Sequence, residues 1–354
     1  MSTIRDVAER AGVSIATVSR ALAGHPHVNS ETRQRVLEAV KALNYRPDQV
    51  ARSLRRRRSN LIGFVVSTIE NVFFTEAAHA AEQVARQRGY NLIVCNTDED
   101  PEREKTYLEV LDRQLVAGIV LAPAPGDAGH LQPFLADGMP MVLINRRVDS
   151  LPCTSITSND EEAAFQCVQH LIAQGRRRIA AITGLPDVFT TRARRQGYRR
   201  ALAAAGLPLD GLEVCGWANL EGGYQATYQL MQRPDPPDAL FVFNNVMTQG
   251  AIVALQELGI TWPDPVDVAG FGAFKAARLY RPPLTLIAQP AREMGRLAAE
   301  LLIGQVEEEL DPTPQQIVLH NRLISRQEWL TERLGTWDAT AVPEQSPPPP
   351  LPEA

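Results

Sequence analysis

The sequence predicts an α/β protein with an N-terminal all-α head and a body of two subdomains that contain parallel sheets. Residues 3–43 show three short helical patterns, and from residue 61 short apolar runs alternate with amphipathic stretches. Charge divides the chain at the same place. Residues 1–60 hold 12 Lys and Arg against 5 Asp and Glu, a net charge of +7, and the remainder carries −12 of the total of −5. A basic head on an acidic body indicates that the head, and not the body, binds a polyanion.

Capping residues and apolar spacing predict three helices in the head. Thr3 can cap the first helix, Gly12 supplies the turn after it, and Ser14 can cap the second helix. A third helix begins at Asn29 or Ser30. Three short helices with a tight glycine turn form a helix-turn-helix unit, whose second helix suits the major groove of DNA. The alternative is a small helical bundle without a ligand, and the basic charge argues against it.

Two stretches of the head carry a family resemblance. "TIRDVAERAGVSIATVSRALAG" and "VNSETRQRVLEAVKALNYRPDQVARSL" closely resemble the lactose-repressor (LacI/GalR) family of bacterial transcription regulators, without gaps from Thr3 to about Leu54. The likeness continues more loosely to about residue 325. The resemblance implies a ligand-responsive transcriptional regulator, in particular a repressor, that binds a palindromic double-stranded DNA operator as a homodimer.

The resemblance also assigns residues to the DNA interface. Ile15, Ala16 and Arg20 match base-facing positions, and an arginine there suits the O6 and N7 acceptors of guanine. A second group matches positions that contact the DNA backbone and set the register without reading sequence. This group comprises Thr3, Ser14, Thr17, Ser19, Asn29, Thr32 and Tyr45.

Residues 47–60 match the family's hinge, which becomes helical on the operator. A leucine at the position of Leu54 wedges between base pairs of the minor groove, and Ala51 lets two hinge helices approach. Arg52 and the run that starts at Arg55 would neutralise phosphates. Without the resemblance, a block of like charges such as "RRRR" is more typical of a solvated surface or a tail.

The apolar runs of the body predict strands buried on both faces. They are "LIGFVV" (61–66), "NLIVCN" (91–96), "GIVLAP" (118–123), "PMVLIN" (140–145), "RIAAIT" (178–183), "DALFVF" (238–243) and "VDVAGF" (266–271). They are too many for one doubly wound domain, so we expect two subdomains with a ligand cleft between them. The resemblance implies a periplasmic-binding-protein-like body. Its first subdomain would span about 61–159 plus 290–317, and its second about 160–289 plus the strand "NRLISR".

The resemblance places an effector in that cleft. Arg194 matches the family's effector-binding arginine, Asn71, Phe73 and Phe74 match its "NPFF" segment, and Trp217 matches a position where some members stack an aromatic ring. Each of these residues could instead be structural, and the two phenylalanines are typical of ordinary core.

Departures from the family pattern concern carboxylates. Asn145, Asn245 and the pair Gly272-Ala273 stand where family members typically have aspartate, and Asn159-Asp160 reverses a common Asp-Asn pair. Because Arg194 is retained and Arg146 lies beside Asn145 in the sequence, we expect an anionic effector such as a sugar acid or sugar phosphate. A neutral sugar stays open as the alternative, since asparagine also binds hydroxyl groups.

Other classes of protein have little support in the sequence. It contains no phosphate loop, GxSxG or HExxH motif and no metal-ligand set, so we expect no enzyme, cofactor or metal. With no long apolar run and no apolar leader at the N-terminus, we expect a cytoplasmic protein without a membrane partner. The alternatives are a cytosolic binding protein with a vestigial head and an enzyme on the same fold. The expected domains are 1–46 for DNA binding, 47–60 for the hinge, 61–330 for effector binding and dimerisation, and 331–354 as a disordered, Pro-rich tail.

Overall fold

The computed structural model describes residues 3–22, 28–43, 59–209 and 211–331, and the chain divides into two compact units between Ser59 and Asn60. The described part of the first unit contains three helices: α1 (Ile4–Ala11), α2 (Ile15–Leu22) and α3 (Ser30–Ala42). They enclose a small core of short side chains, to which Val7, Val18 and Val36 contribute with no exposed surface. Core residues of this size let the three helices pack closely, as a helix-turn-helix unit requires.

The predicted caps define the helix ends of the head. Thr3 and Asp6 form a reciprocal capping box at the start of α1, and α1 ends at Gly12, whose φ of 63° is left-handed. Backbone and side-chain hydrogen bonds from Thr3 hold the pKa of the Asp6 carboxyl below its ordinary value. Asn29 caps α3 by accepting from the backbone N–H of Thr32. Local hydrogen bonds therefore specify where these helices begin.

The first subdomain of the body is a six-stranded parallel sheet with helices on both faces. Its strands are β1 (Leu61–Val66), β2 (Asn91–Asn96), β3 (Gly118–Leu121), β4 (Met141–Ile144), β5 (Thr154–Ser158) and β11 (Gln316–Leu319), in the order β11-β5-β4-β3-β1-β2. Its helices are α4 (Val72–Gln87), α5 (Pro101–Arg113), α6 (Gln132–Ala136) and α11 (Ala291–Val306). Alternate residues of the strands enter two separate cores: Val120 packs under α4 and α11, and Ile119 under α5.

The second subdomain repeats this arrangement. Its strands are β6 (Ile179–Thr183), β7 (Glu213–Cys215), β8 (Ala239–Val242), β9 (Asp267–Phe271), β10 (Thr285–Ala288) and β12 (Arg322–Ile324), in the order β12-β10-β9-β8-β6-β7. Its helices are α7 (Asp160–Ala173), α8 (Phe189–Ala204), α9 (Leu220–Met231), α10 (Asn245–Glu257) and α12 (Arg326–Thr331). Only the pairing of β12 with β10 is antiparallel among the described strands. The predicted fold class is confirmed.

Close helix packing in the second subdomain requires glycine. A Cβ atom on Gly197 of α8 would lie 2.1 Å from the carbonyl oxygen of Glu161 in α7, so α8 can approach α7 only because residue 197 has no side chain. This contact places α8 against the first turn of α7, where Arg194 meets Asp160.

Three segments cross between the subdomains, near residues 158–160, 288–291 and 319–322. Hydrogen bonds join the first and third of these crossings. The Asn159 side chain accepts from the backbone N–H of Asn321 at 2.7 Å, and the Leu319 carbonyl accepts from the backbone N–H of Asn159 at 3.0 Å. The return segment of the first subdomain extends through β11, beyond the predicted limit of 317. No helix in the described residues is long and apolar enough to cross a membrane.

Candidate functional sites

The second helix of the head presents the predicted base-facing side chains to solvent. Ile15 is 43% exposed, and Ala16 and Arg20 are also exposed. An exposed isoleucine on a short helix does not contribute to the core of the head, whereas Val18, one turn further along the helix, is fully buried. The arrangement leaves one face of α2 free to enter a groove of DNA.

Several predicted backbone-contacting residues also hold the helices of the head. The Ser14 hydroxyl accepts from the Thr17 backbone N–H at 3.1 Å and lies 2.8 Å from the Thr17 hydroxyl. Thr3 and Asn29 cap α1 and α3, and Thr32 lies in the first turn of α3. The cap positions place polar side chains beside free backbone N–H groups, an arrangement that binds phosphate.

Some predicted DNA contacts lie outside the described residues. These are Tyr45, Ala51, Arg52, Leu54 and Arg55, and with them the expected hinge and the Pro-rich tail from residue 332. Ser19 lies on α2, but its side chain is not among those described. The roles of all these residues stay predictions from the family resemblance.

A cleft lies between the two subdomains of the body, at the carboxyl ends of the strands of both sheets. Loops after β1, β2 and β4 supply one wall, and loops after β6 and β8 together with the start of α8 supply the other. The cleft is lined by Ser67, Thr68, Asn71, Phe73, Phe74, Glu99, Asn145, Arg146, Gly184, Leu185, Val188, Thr190, Thr191, Arg194, Ala218, Phe243, Asn244, Met247 and Gln289. The mixture of aromatic, amide, hydroxyl and charged groups is typical of a site for a small polar molecule.

Arg194 is held in the cleft wall from three directions. Its Nε and Nη2 atoms each lie 2.8 Å from Asp160 Oδ2, and its Nη1 donates to the Phe243 carbonyl. The guanidinium carbon lies 3.7 Å from the centre of the Phe271 ring. Burial lowers the pKa of Arg194 and Asp160 raises it, but an arginine stays protonated in either case.

Arg146 is paired in the same way on the opposite wall. Its two terminal nitrogens donate to the two carboxylate oxygens of Glu99 at 2.7 and 2.6 Å, and Nη1 also donates to the Pro123 carbonyl at 2.7 Å. Such a bidentate pair fixes the guanidinium plane. The carboxylate of Asp149, three positions further along the chain, pairs with Arg147 at 2.9 Å instead.

The two arginines of the cleft therefore carry no excess positive charge. Each has one carboxylate partner, Asp160 for Arg194 and Glu99 for Arg146. The prediction of an anionic effector rests on the absent aspartates and on the charge of these two arginines, and the pairing removes the second of these grounds.

Six of the predicted effector residues line the cleft: Asn71, Phe73, Phe74, Asn145, Arg146 and Arg194. Phe73 and Phe74 also belong to the core of the first subdomain, with their rings edge to face at 5.1 Å. They therefore line the cleft and pack in the core at the same time. The structure thus brings together side chains that come from two subdomains and three strand ends.

Three other predicted residues do not line the cleft. Trp217 follows the edge strand β7 and is 62% exposed to solvent, although its neighbour Ala218 lines the cleft. Asn245 and Gly272 line a smaller cavity nearby, where Asn245 Nδ2 donates to Asn71 Oδ1 at 3.0 Å across the subdomain junction. For Asn245 the structure therefore indicates a contact between the subdomains.

Sequence reasoning missed several cleft residues. Asn244 lines the cleft one position before the predicted Asn245, and its side chain caps α10 by accepting from Met247 N–H at 2.7 Å. Gln289 lies on a crossing segment and donates to Asn145 at 3.4 Å. Thr190 and Thr191 occupy the first turn of α8. An N-terminal turn after a buried strand is a signal that would have found the last two.

Two family models match the sequence of this chain. The family model described as "Bacterial regulatory proteins, lacI family" matches residues 3–48, and the model "Periplasmic binding proteins and sugar binding domain of LacI family" matches residues 59–325. The second match alone spans most of the chain. Together they cover the head and the body described above.

Relatives and solved structures extend the comparison to whole chains. The chain is 34% identical to the HTH-type transcriptional repressor PurR of Mannheimia succiniciproducens, over 92% of this chain and 98% of that one. It resembles the crystal structure of the Lac repressor dimer bound to operator and the anti-inducer ONPF, with 29% identity, a TM-score of 0.80 and coverage of 92% and 98%. It also resembles a complex of the transcriptional regulator CelR with cellobiose, with 30% identity and a TM-score of 0.67, over 92% of this chain and 98% of that one. The chain therefore belongs to the LacI family of bacterial transcriptional repressors, which are DNA-binding regulators with a sugar-binding domain and not enzymes.

Proposed function

We propose that this repressor binds a palindromic operator as a homodimer in the cytoplasm and releases or engages it in response to a neutral sugar in the cleft. The observation that carries the proposal is the charge-balanced cleft, in which both buried arginines have carboxylate partners. A regulator of this kind couples two sites, so effector and operator must alter each other's binding by the same factor.

The hydrogen-bonding groups of the cleft support a ligand with hydroxyl groups. Of the five N–H donors of Arg194, three have partners in the protein, which leaves two for a ligand. Arg146 Nε is buried and has no acceptor among the described residues. Asn145, Asn244 and Gln289 add amide groups that both donate and accept. A sugar offers donors and acceptors on every carbon, as well as an apolar ring face for Phe73 or Phe74.

Operator binding follows from the head. Its exposed α2 would enter the major groove, and its caps would contact phosphates. The expected hinge, with Leu54 as a minor-groove wedge, would join the two halves of the dimer on the DNA. A protein that reads DNA in this way acts where the chromosome is, which in bacteria is the cytoplasm.

A ligand screen tests the effector class. Thermal unfolding of the full chain is measured with neutral mono- and disaccharides and with the matched sugar acids and sugar phosphates, for example glucose, gluconate and glucose 6-phosphate. We expect a neutral member to raise the melting temperature. Gln289→Leu, which removes a cleft amide and leaves both ion pairs in place, should reduce that shift. Stabilisation by acids or phosphates alone would restore the anionic prediction, and no shift with any sugar would rule out the proposed class.

Exposed apolar side chains support a homodimer. Val94 is 48% exposed on β2, the edge strand of the first sheet, and Leu279 is 79% exposed on the second subdomain. An open sheet edge and a largely exposed leucine are positions at which a second subunit can pack. The Lac repressor structure that the chain resembles is itself a dimer.

Replacing Leu279 with lysine should shift the protein from dimer to monomer. The substitution places a charge where the proposal puts an apolar interface, but it alters no buried contact of the subunit itself. Sedimentation velocity gives the oligomeric state, and circular dichroism verifies the fold. Leu279→Met serves as the matched control, because it keeps an apolar side chain and should stay dimeric. If the lysine variant sediments like the parent protein, Leu279 is not part of the interface.

A further inference from the structure

Asp160 is a buried carboxylate at the point where the chain passes from the first subdomain to the second. It is the first residue of α7, and only 2% of its surface is exposed. It does not line the cleft, but its partner Arg194 does. The pair joins residues 34 positions apart and places one unit of negative charge directly behind the effector-binding arginine.

All contacts of Asp160 are made within the protein. Oδ2 lies 2.8 Å from both Nε and Nη2 of Arg194, while Oδ1 accepts from the Ser158 hydroxyl at 2.6 Å and from Asn321 Nδ2 at 3.0 Å. Four donors saturate a carboxylate, so Asp160 has no capacity left for a ligand. Any effect of Asp160 on ligand binding must therefore act through Arg194.

We infer that Asp160 is the residue that makes the cleft selective for neutral ligands, by cancelling the charge of Arg194 while leaving two of its N–H donors free. The inference rests on the proposed sugar-binding function and adds the position that sets the charge preference. An isolated buried cation attracts an anion strongly, whereas the paired guanidinium offers a ligand only hydrogen bonds. Glu99 cancels the charge of Arg146 on the other wall in the same way. An entering carboxylate or phosphate would therefore meet no net attraction and would lose its hydration.

The selectivity role differs from a structural role in a measurable way. If Asp160 only stabilised the fold, its replacement would weaken the protein equally in every buffer. If it sets the charge preference, its loss leaves Arg194 buried and unpaired in the cleft wall, and an anion from solution can take the place of the missing carboxylate. The signature is therefore an anion-binding site that appears only when Asp160 is neutral.

The test uses the full chain with inorganic phosphate and sulfate as probes. Thermal unfolding is measured in phosphate and in chloride at equal ionic strength, and the affinity for phosphate is measured by calorimetry. Asp160→Asn keeps the shape of the side chain and removes its charge. Glu213→Gln is the matched control, because Glu213 pairs with Arg195 and Arg199 on the same helix α8, outside the cleft. The basic head binds anions in every variant, so the difference from the parent protein isolates the cleft.

We expect Asp160→Asn to melt below the parent protein in chloride and to recover in phosphate, with roughly tenfold tighter phosphate binding, equivalent to about 1.4 kcal/mol. The parent protein and Glu213→Gln should show no such recovery. The double variant Asp160→Asn/Arg194→Gln removes both charges and should fold without the anion effect. A recovery equal in all proteins would overturn the inference, as would its persistence in the double variant or an Asp160→Asn protein that phosphate does not rescue.

The outcome is separate from that of the proposed function. Anion binding that appears in Asp160→Asn supports the inference even if the parent protein binds no sugar, in which case the sugar proposal alone fails. If the parent protein binds a neutral sugar and the variant gains no anion site, the proposed function stands and the role of Asp160 is excluded.

Discussion

Replacing Arg194 with alanine is expected to lower the free energy of unfolding by about 3–5 kcal/mol, because it leaves the buried carboxylate of Asp160 without its counter-ion. The guanidinium is only 6% exposed, and the substitution also removes its contact with the Phe271 ring and its hydrogen bond to Phe243. Urea denaturation with a two-state fit measures the change. An effect of this size would show that Arg194, a residue of the cleft wall, is also a structural element of the second subdomain.

A double variant separates the ion pair from the packing. Arg194→Ala/Asp160→Ala removes both buried charges, so it should recover part of the stability lost in the single variant. If the double variant is less stable than Arg194→Ala by the full cost of an independent Asp160→Ala change, the two residues do not interact and the pairing described here is wrong.

Arg20→Ala is expected to cost about 1–3 kcal/mol of specific operator binding and to relax base preference at one position in each half-site. The prediction follows from the exposed position of Arg20 on α2 and from its match to a base-facing residue. Affinities for the operator and for a set of operators with single base changes measure both effects. Loss of specific binding without loss of non-specific binding would assign Arg20 to a base edge.

Arg10→Ala provides the comparison for Arg20, since it removes the same charge from the last turn of α1. It should change operator and random-sequence binding by similar factors, because it lies outside the recognition helix. Equal losses on the two kinds of DNA for Arg20→Ala as well would mean that Arg20 contacts only phosphate.

Local signals in the sequence predicted most elements of the fold. The caps Thr3, Ser14 and Asn29 act within one helical turn, so they can be read without knowledge of the rest of the chain. Continuous apolar runs such as "LIGFVV" predicted the central strands for the same reason. Four of the described strands, β5, β7, β10 and β11, were not among the predicted runs. Of these, β5, "TSITS", is buried along its whole length but carries mainly hydroxyl groups, so it lacks the apolar pattern of a buried strand.

The candidate cleft was predicted less completely than the fold. Positions carried over from the family placed Arg194, Arg146 and Asn71 in its walls, but their partners are set by tertiary structure. The pairing of Arg194 with Asp160 depends on the approach of α7 to α8 at Gly197, and that of Arg146 with Glu99 on the loops after β4 and β2, which meet although β3 and β1 lie between these strands. Without knowledge of these contacts, the two arginines suggested an anionic ligand. With the contacts, a carboxylate balances the charge of each arginine.

Operator binding by this repressor should respond to a ligand in the cleft. Fluorescence anisotropy can test this response with two duplexes, a palindrome selected from a random pool and a scrambled sequence. The affinity for each duplex is measured across salt concentrations, with and without the cleft ligand. We predict tighter binding to the palindrome, an affinity that falls linearly with salt on logarithmic axes, and a clear change in affinity at saturating ligand. Equal affinity for the two duplexes would show that the head does not recognise a palindrome, and operator binding that the ligand leaves unchanged would show that the cleft does not control it.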